Sequence, residues 1–272
     1  MEQKKISIQP EDNMKPKINF PNFDLAGKKA LVTGSSRGIG RALSLGLAHA
    51  GANVALTGRK EKTLNETAKE VEALGSTAIV QRIDVTDIDD IRQGVDACSR
   101  QMNGIDILIN NAGHEHVRDS MDVTPDLWDA IVNTNLKGAF FCSQAAAKIM
   151  SAIGGGAILN LCSLTSSVGV STAVAYTSSK SSLLGMTRAL AAEWSEKNIR
   201  VNAIAPGYFR TELTDEFFKD EKWAEGMKSK IPMNRFGHVQ DLIGATVFLC
   251  SPAADYITGQ MITIDGGYLS TL

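Results

Sequence analysis

The chain has little of what marks several large protein classes, and each shortage narrows its function. Cysteine is scarce: Cys98, Cys142, Cys162 and Cys250 are the only four, widely spaced and with no Cys-x-x-Cys pair. Such a set builds neither a disulfide scaffold nor a zinc site, and reads as reduced, buried thiols of a cytoplasmic protein. No run approaches the roughly 18 consecutive apolar residues of a membrane span. The first 23 residues carry charge and proline but no apolar secretory segment. A charge excess is missing too: 28 Lys and Arg face 30 Asp and Glu, so no bulk field recruits nucleic acid or an anionic membrane. No Pro-, Gly- or Ser-rich linker and no repeat of about 20 to 50 residues divides the chain, which favours one folded unit.

What is present is 272 residues, 43% of them apolar, enough to bury one large core. Short runs rich in β-branched residues alternate with longer stretches of helical period, the pattern of repeated βα units. Strands are expected at Lys29–Thr33, Asn53–Thr57, Thr77–Gln81, Ile105–Asn110, Ala157–Cys162, Arg200–Ala205 and Gln260–Ile264. Helices are expected near Ile39–Ala50, Lys60–Leu74, Ile88–Met102, Pro125–Ser151, Ala175–Glu196 and Val239–Cys250. Right-handed crossovers place helices on both faces, so the expected fold is α/β: a single doubly wound Rossmann-type domain with a seven-stranded parallel sheet in order 3-2-1-4-5-6-7. Residues 1–23 read as a poorly ordered extension and 24–272 as the domain. Residues 207–233 break the alternation and carry Phe209, Phe217, Phe218, Trp223 and Met227, which suggests a helical flap over a site.

The first strand runs into Thr33-Gly34-Ser35-Ser36-Arg37-Gly38-Ile39-Gly40, and a helix follows. Gly34 permits the tight turn, Gly38 lets backbone approach a diphosphate, and Gly40 lets the helix pack on the sheet, while N–H groups at the helix start face the anion. The Lys and adjacent Ser/Thr of a nucleotide-hydrolysing P-loop are absent, which disfavours ATP or GTP hydrolysis. Absent also is a carboxylate at the end of the second strand, where an NAD site holds the ribose 2′-hydroxyl; the strand ends Thr57-Gly58-Arg59-Lys60. Arg59, with Arg37 from the turn, suits a 2′-phosphate, so NADP(H) is the expected cofactor.

Tyr176 and Lys180 lie four residues apart on an expected helix and share a face with Leu183, Leu184, Thr187, Leu190, Ala191 and Trp194. A lysine on such an apolar stripe must find a partner or shift its pKa. Added to the glycine turn are Asp84 after the third strand, Asn110-Asn111-Ala112-Gly113 after the fourth, and Asn135 in Thr134-Asn135-Leu136. Ser163 follows the fifth strand, and Pro206-Gly207 follows the sixth. In this order and spacing the chain resembles the short-chain dehydrogenase/reductase family from about Asp24 to Gly267.

The resemblance implies a nicotinamide-dependent enzyme acting on CH–OH donors. Tyr176 would be the general acid in ketone reduction and the base in reverse. Lys180 would lower the pKa of Tyr176 and hold the nicotinamide ribose, Ser163 would stabilise the substrate oxygen, and Asn135 would anchor a water relaying protons towards Lys180. The cofactor would meet Gly34, Ser36, Arg37, Gly38, Ile39 and Gly40 in the turn and Arg59 beyond it. Asp84 and Val85 would lie by the adenine, and Asn111, Ala112 and Gly113 would form the wall near the ribose. Tyr176 and Lys180 would face the nicotinamide end, bordered by Pro206, Gly207, Phe209 and Thr211. Retention of Asn135, Ser163, Tyr176 and Lys180 together argues against a catalytically silent NADP-binding sensor.

His114-Glu115-His116 falls short of a zinc signature and reads as pocket wall or exposed loop, and no metal is expected. The Ala- and Leu-rich expected helices Pro125–Ser151 and Ala175–Glu196 suggest a homo-oligomer, a dimer or tetramer as is common in the family. Pro206-Gly207-Tyr208-Phe209-x-Thr211-Glu212, Ile231-Pro232-Met233-x-Arg235-Phe236-Gly237 and Tyr256-Ile257-Thr258-Gly259-Gln260 resemble the gluconate 5-dehydrogenase-like branch and the neighbouring 3-oxoacyl carrier-protein reductases. The expected substrate is a small polar ketone or alcohol, a polyol or sugar acid, with a 3-oxoacyl thioester or general carbonyl substrate as the alternative. Arg210, Lys219 and Lys222 are candidates to meet a carboxylate. If Arg37 and Arg59 read a 2′-phosphate, kcat/KM is higher with NADPH than with NADH; steady-state rates with both test this, and a clear NADH preference contradicts it.

Overall fold

The computed structural model describes residues 21–210 and 220–271. In β1 (Lys29–Thr33), Ala30, Leu31 and Val32 are all buried, because helices cover both faces and the strand is apolar throughout rather than alternating. It is joined by β2 (Asn53–Gly58), β3 (Ala78–Arg82), β4 (Ile107–Asn110), β5 (Gly156–Leu161), β6 (Ile199–Pro206) and β7 (Met261–Ile264). All pair in parallel, in the order β3-β2-β1-β4-β5-β6-β7, the expected doubly wound Rossmann-type sheet. The direction of winding reverses between β1 and β4, which opens a crevice at their carboxyl ends.

Successive residues of each strand feed opposite cores. Val32, Val54 and Leu56 pack towards Leu43 and Leu47 of α1 (Gly38–His49), Leu64 of α2 (Glu61–Ala73) and Leu249 of α8 (Ile243–Cys250). Leu31, Ala55, Leu108 and Ile158 face Ile91 and Val95 of α3 (Ile88–Met102), Cys142 and Ala146 of α5 (Ala139–Ala152) and Leu190 of α6 (Val174–Trp194). Each fully buried Leu or Ile adds roughly 1.5–3 kcal/mol, so both layers are needed to fix the sheet. The ends of β4 and β5 are tied to the helices beneath them by a buried polar chain. Asn110 Nδ2 donates to Ser143 Oγ and to Asn160 Oδ1, both at 2.8 Å, and Asn160 Nδ2 donates to Thr187 Oγ1 at 2.9 Å.

The structure corrects one expected element. The single helix expected over Pro125–Ser151 is α4 (Pro125–Val132), a wide π-helical turn at Asn133–Gly138, and then α5. The cause lies at Gly138, where a Cβ would sit 2.4 Å from the Val85 carbonyl oxygen; the helix runs against the loop after β3 and widens there. The widened turn carries Asn135 inward, where it is 1% exposed. In the expected flap, α7 (Glu221–Lys228) is capped by Asp220, whose carboxylate accepts from Trp223 N at 3.1 Å. Thr211, Glu212, Phe217, Phe218 and Lys219 of that segment, and the extension up to residue 20, lie outside the described residues.

Replacing Asn160 with Ala removes a link between β4, β5 and α6 and leaves buried partners unmatched. The expected loss is about 1–3 kcal/mol in denaturant unfolding, and an unchanged midpoint contradicts it.

Candidate active site

The crevice at the switch point is a cavity of about 900 Å³, well within the range of small-molecule and cofactor sites. The glycine turn forms its floor at one end. Gly34 and Gly38 take left-handed φ values of 66° and 53°, which favour glycine. A Cβ on Gly40 would stand 2.3 Å from Asn111 Nδ2 and from the Gly34 carbonyl oxygen. Unlike α3, α4 and α7, whose N-caps are Asp87, Thr124 and Asp220, α1 has no side-chain cap at its amino end. Its first N–H groups therefore remain available to an anion. Arg37 and Arg59 line the same end. A glycine cradle, an uncapped helix start and two guanidiniums fit the diphosphate and 2′-phosphate of NADP(H).

Thr33 and Asn111 hold this cradle in place. Thr33 Oγ1 accepts from the N–H groups of Asn111 and Ala112, each at 3.0 Å. Asn111 Nδ2 donates to the carbonyls of Thr33 and Gly34 at 2.9 and 3.0 Å. The Asn111 side chain is thus a clasp between the ends of β1 and β4, a role not anticipated from the sequence. Asp84, Val85, Ala112 and Gly113 line the wall, and Pro206, Gly207 and Phe209 line the far end. Although burial opposes it, hydrogen bonds from Thr86 and the charges of Arg59 and Arg82 hold the Asp84 carboxyl below its ordinary pKa.

At the other end stand Ser163, Tyr176 and Lys180. Lys180, on α6, is 5% exposed; its Nζ donates to the Leu161 carbonyl at 2.5 Å and lies 5.6 Å from the centroid of the Tyr176 ring. The turn after β5 is fastened to the same helix: Ser166 Oγ donates to the Lys180 carbonyl at 2.9 Å and Ser181 Oγ to the Thr165 carbonyl at 3.3 Å. Ser163 caps that turn, accepting from Thr165 N at 3.2 Å, and lines the cavity beside Tyr176. Asn135 Oδ1 accepts from His114 N at 2.7 Å, and its Nδ2 donates to the His114 carbonyl at 2.9 Å and to Ser179 Oγ at 3.0 Å. This amide braces the loop after β4.

The electrostatics differ from the sequence expectation. Lys180 is expected to pull the Tyr176 pKa down, yet burial first, and then the negative charge of Glu115, hold the phenol above its ordinary value against the Ser163 hydrogen bond. Burial also lowers the Lys180 pKa, opposed by Cys162 and Glu115. Glu115 is the residue whose importance the sequence concealed. Its neighbours His114 and His116 suggest metal, but the carboxylate lines the cavity and acts on Tyr176, Lys180 and Tyr208. Its place two residues after Asn-Asn-Ala-Gly is the signal that could have found it. Tyr208 packs edge-on against Trp223 and Tyr268 at 6.0 and 5.3 Å, which seats α7 at the mouth.

A parallel sheet with a glycine cradle at its switch point is the arrangement of a dinucleotide-binding Rossmann-type protein. A family model described as enoyl-(acyl carrier protein) reductase matches residues 34–269. Gluconate 5-dehydrogenase of Gluconobacter oxydans (strain 621H) is 40% identical over 250 residues, 92% of this chain and 98% of that protein. A crystal structure provisionally described as a short-chain alcohol dehydrogenase from Sinorhizobium meliloti 1021 is 56% identical, with a TM-score of 0.91 over 93% of this chain and 100% of that one. Gluconate 5-dehydrogenase of Burkholderia cenocepacia J2315, crystallised in complex with NADP and tartrate, is 36% identical, with a TM-score of 0.89 over 92% of this chain and 98% of that one. The chain belongs to the short-chain dehydrogenase/reductase family.

Because Asn111 clasps the glycine turn, Asn111→Ala is expected to weaken NADPH binding at least about tenfold while costing about 1–3 kcal/mol of stability. Fluorescence titration of NADPH checks this, and an unchanged affinity contradicts the clasp.

Proposed function

We propose that this chain is an NADP(H)-dependent oxidoreductase that interconverts a secondary alcohol and a ketone on a small polar substrate, a polyol or sugar acid. The observation that carries the reading is the grouping of Ser163, Tyr176 and Lys180 in one cavity with the glycine turn and the two arginines. When bound, the dinucleotide supplies or accepts the hydride. Gly34, Ser36, Gly38, Ile39 and Gly40 hold its diphosphate end, with Arg37 and Arg59 on the 2′-phosphate. Asp84, Val85, Asn111, Ala112 and Gly113 flank its adenosine, and Pro206, Gly207 and Phe209 border the nicotinamide. Thr211 remains an expectation.

Tyr176 gives its phenolic proton to the substrate oxygen as that oxygen becomes an alkoxide. Burial suits this role, because a phenol held above its ordinary pKa is protonated throughout the neutral range. Ser163 accepts from the Thr165 N–H and donates its own proton to the oxygen that gains charge. Lys180 has three N–H donors, of which one goes to the Leu161 carbonyl; the others would hold ribose hydroxyls and steady the phenolate after transfer. Asn135 is a positioning residue for the loop of His114 and Glu115. Gly207, Tyr208 and Phe209, with Trp223 and Met227 of α7, line the mouth and shield the reacting groups from water.

A polyol or sugar acid is favoured because the gluconate 5-dehydrogenases are similar along nearly the whole chain, one of them holding tartrate beside NADP. A homo-oligomer is supported by the outer face of α6, where Ser182, Gly185, Ala189 and Ala192 are small and exposed, and by the exposed Trp128 on α4. A cytoplasmic setting is supported by four buried, unpaired thiols. Tyr176→Phe is expected to lower ketone reduction at least about 100-fold with little change in NADPH affinity. In the unaltered protein, reduction should not decline between about pH 6 and about pH 9, since the phenol stays protonated, whereas alcohol oxidation should rise with pH. Retained turnover in the variant contradicts the assignment.

A further inference from the structure

We infer that Glu115 sets substrate specificity: its carboxylate accepts a hydrogen bond from a hydroxyl on a carbon next to the reacting carbonyl, selecting hydroxylated ketones over those with a plain methylene there. The inference deepens the proposed function and rests on it. Glu115 lies in the cavity wall, half-buried, and among the described residues its carboxylate has no hydrogen bond and no ion pair. Its backbone is held in place, because Asn135 binds both the N–H and the carbonyl of the preceding residue, His114, at 2.7 and 2.9 Å. The loop also passes close to the reacting groups: a Cβ on Gly113 would stand 3.8 Å from Lys180 Nζ.

A carboxylate brings about four acceptor sites into the cavity, and removing it from water is costly unless a donor meets it. Burial accordingly raises its pKa, with the Lys180 charge in opposition. Two kinds of ligand group can donate to it. A cation would be placed beside the Lys180 ammonium, so like charges would meet; a hydroxyl supplies the proton without that penalty. Glu115 follows Gly113 by two residues and lines the same cavity wall as Ser163, Tyr176 and Lys180, so the hydroxyl it meets is one beside the reacting carbon. An acyl chain offers only CH₂ at that point and would bury the charge against hydrocarbon. The same residue thereby separates the polyol or sugar-acid reading from the 3-oxoacyl thioester one.

The test measures kcat/KM with saturating NADPH for the best polyhydroxy ketone of a panel and for its two analogues lacking one hydroxyl beside the carbonyl, with the unaltered protein, Glu115→Gln and Glu115→Leu. NADPH titration and thermal melting report whether each variant is folded, and the Gln variant keeps the shape of the side chain. A site built around a hydroxyl rejects the analogue lacking it strongly, so one deoxy analogue should lose at least about 100-fold in the unaltered protein. That loss should shrink at least about tenfold in Glu115→Leu and less in Glu115→Gln. Reduction of all three ketones alike by the unaltered protein, or an equal loss in folded variants, overturns the role of Glu115 and leaves the oxidoreductase reading intact. No reduction of any ketone overturns that reading and the inference with it.

Discussion

One buried ammonium organises this site. Lys180 sits 5% exposed under an apolar sheet, where an unpaired charge would be costly, and the surroundings answer that cost in three ways. The Leu161 carbonyl at the end of β5 accepts from Nζ, the Tyr176 ring lies 5.6 Å away on the same helix face, and Glu115 adds a negative charge in the wall of the same cavity. Each answer fixes a group that the chemistry uses. The carbonyl ties α6 to β5, the helix spacing sets Tyr176 over the lysine, and the carboxylate gives the cavity a polar wall. Ser166 and Ser181 then fasten the turn of Ser163 to α6, so the serine and the tyrosine cannot drift apart independently.

The cofactor half of the crevice is built by the same economy of shared parts. Thr33 and Asn111 exchange hydrogen bonds across the switch point, so the glycine turn after β1 and the loop after β4 are fastened to each other. That loop continues through Gly113 to His114 and Glu115, and Asn135 grips it from the π-helical turn. The glycine turn, the π-helical turn and the cavity wall at Glu115 are thus linked through roughly five residues of chain, Asn111 to Glu115.

The sheet was legible in the sequence because buried parallel strands are near-continuous apolar runs between glycine-rich turns, and their order follows from right-handed winding. The residues at strand ends were legible because Gly34, Asn111 and Ser163 directly follow those runs, and Tyr176 because Lys180 lies one helical turn beyond it. The π-helical turn was hidden, since the periodicity of Pro125–Ser151 is helical throughout and only the approach of Gly138 to Val85, a tertiary contact, widens it. The raised pKa of Tyr176 was hidden for a similar reason. Spacing places a lysine beside a tyrosine, but burial and the facing Glu115 are known only once the loop after β4 has been folded over them. Glu115 itself was masked by its histidine neighbours, which draw attention to metal chemistry.

The central claim is that this constellation moves a hydride between a nicotinamide and the carbon of a small polar ketone. The most direct measurement is mass spectrometry of the alcohol formed from a polyhydroxy ketone with NADPH carrying deuterium at both C4 positions of the nicotinamide. One deuterium per product molecule, bonded to the new carbinol carbon, is the result this account predicts. Product formed without deuterium, its new carbon-bound hydrogen drawn from solvent instead, would contradict it.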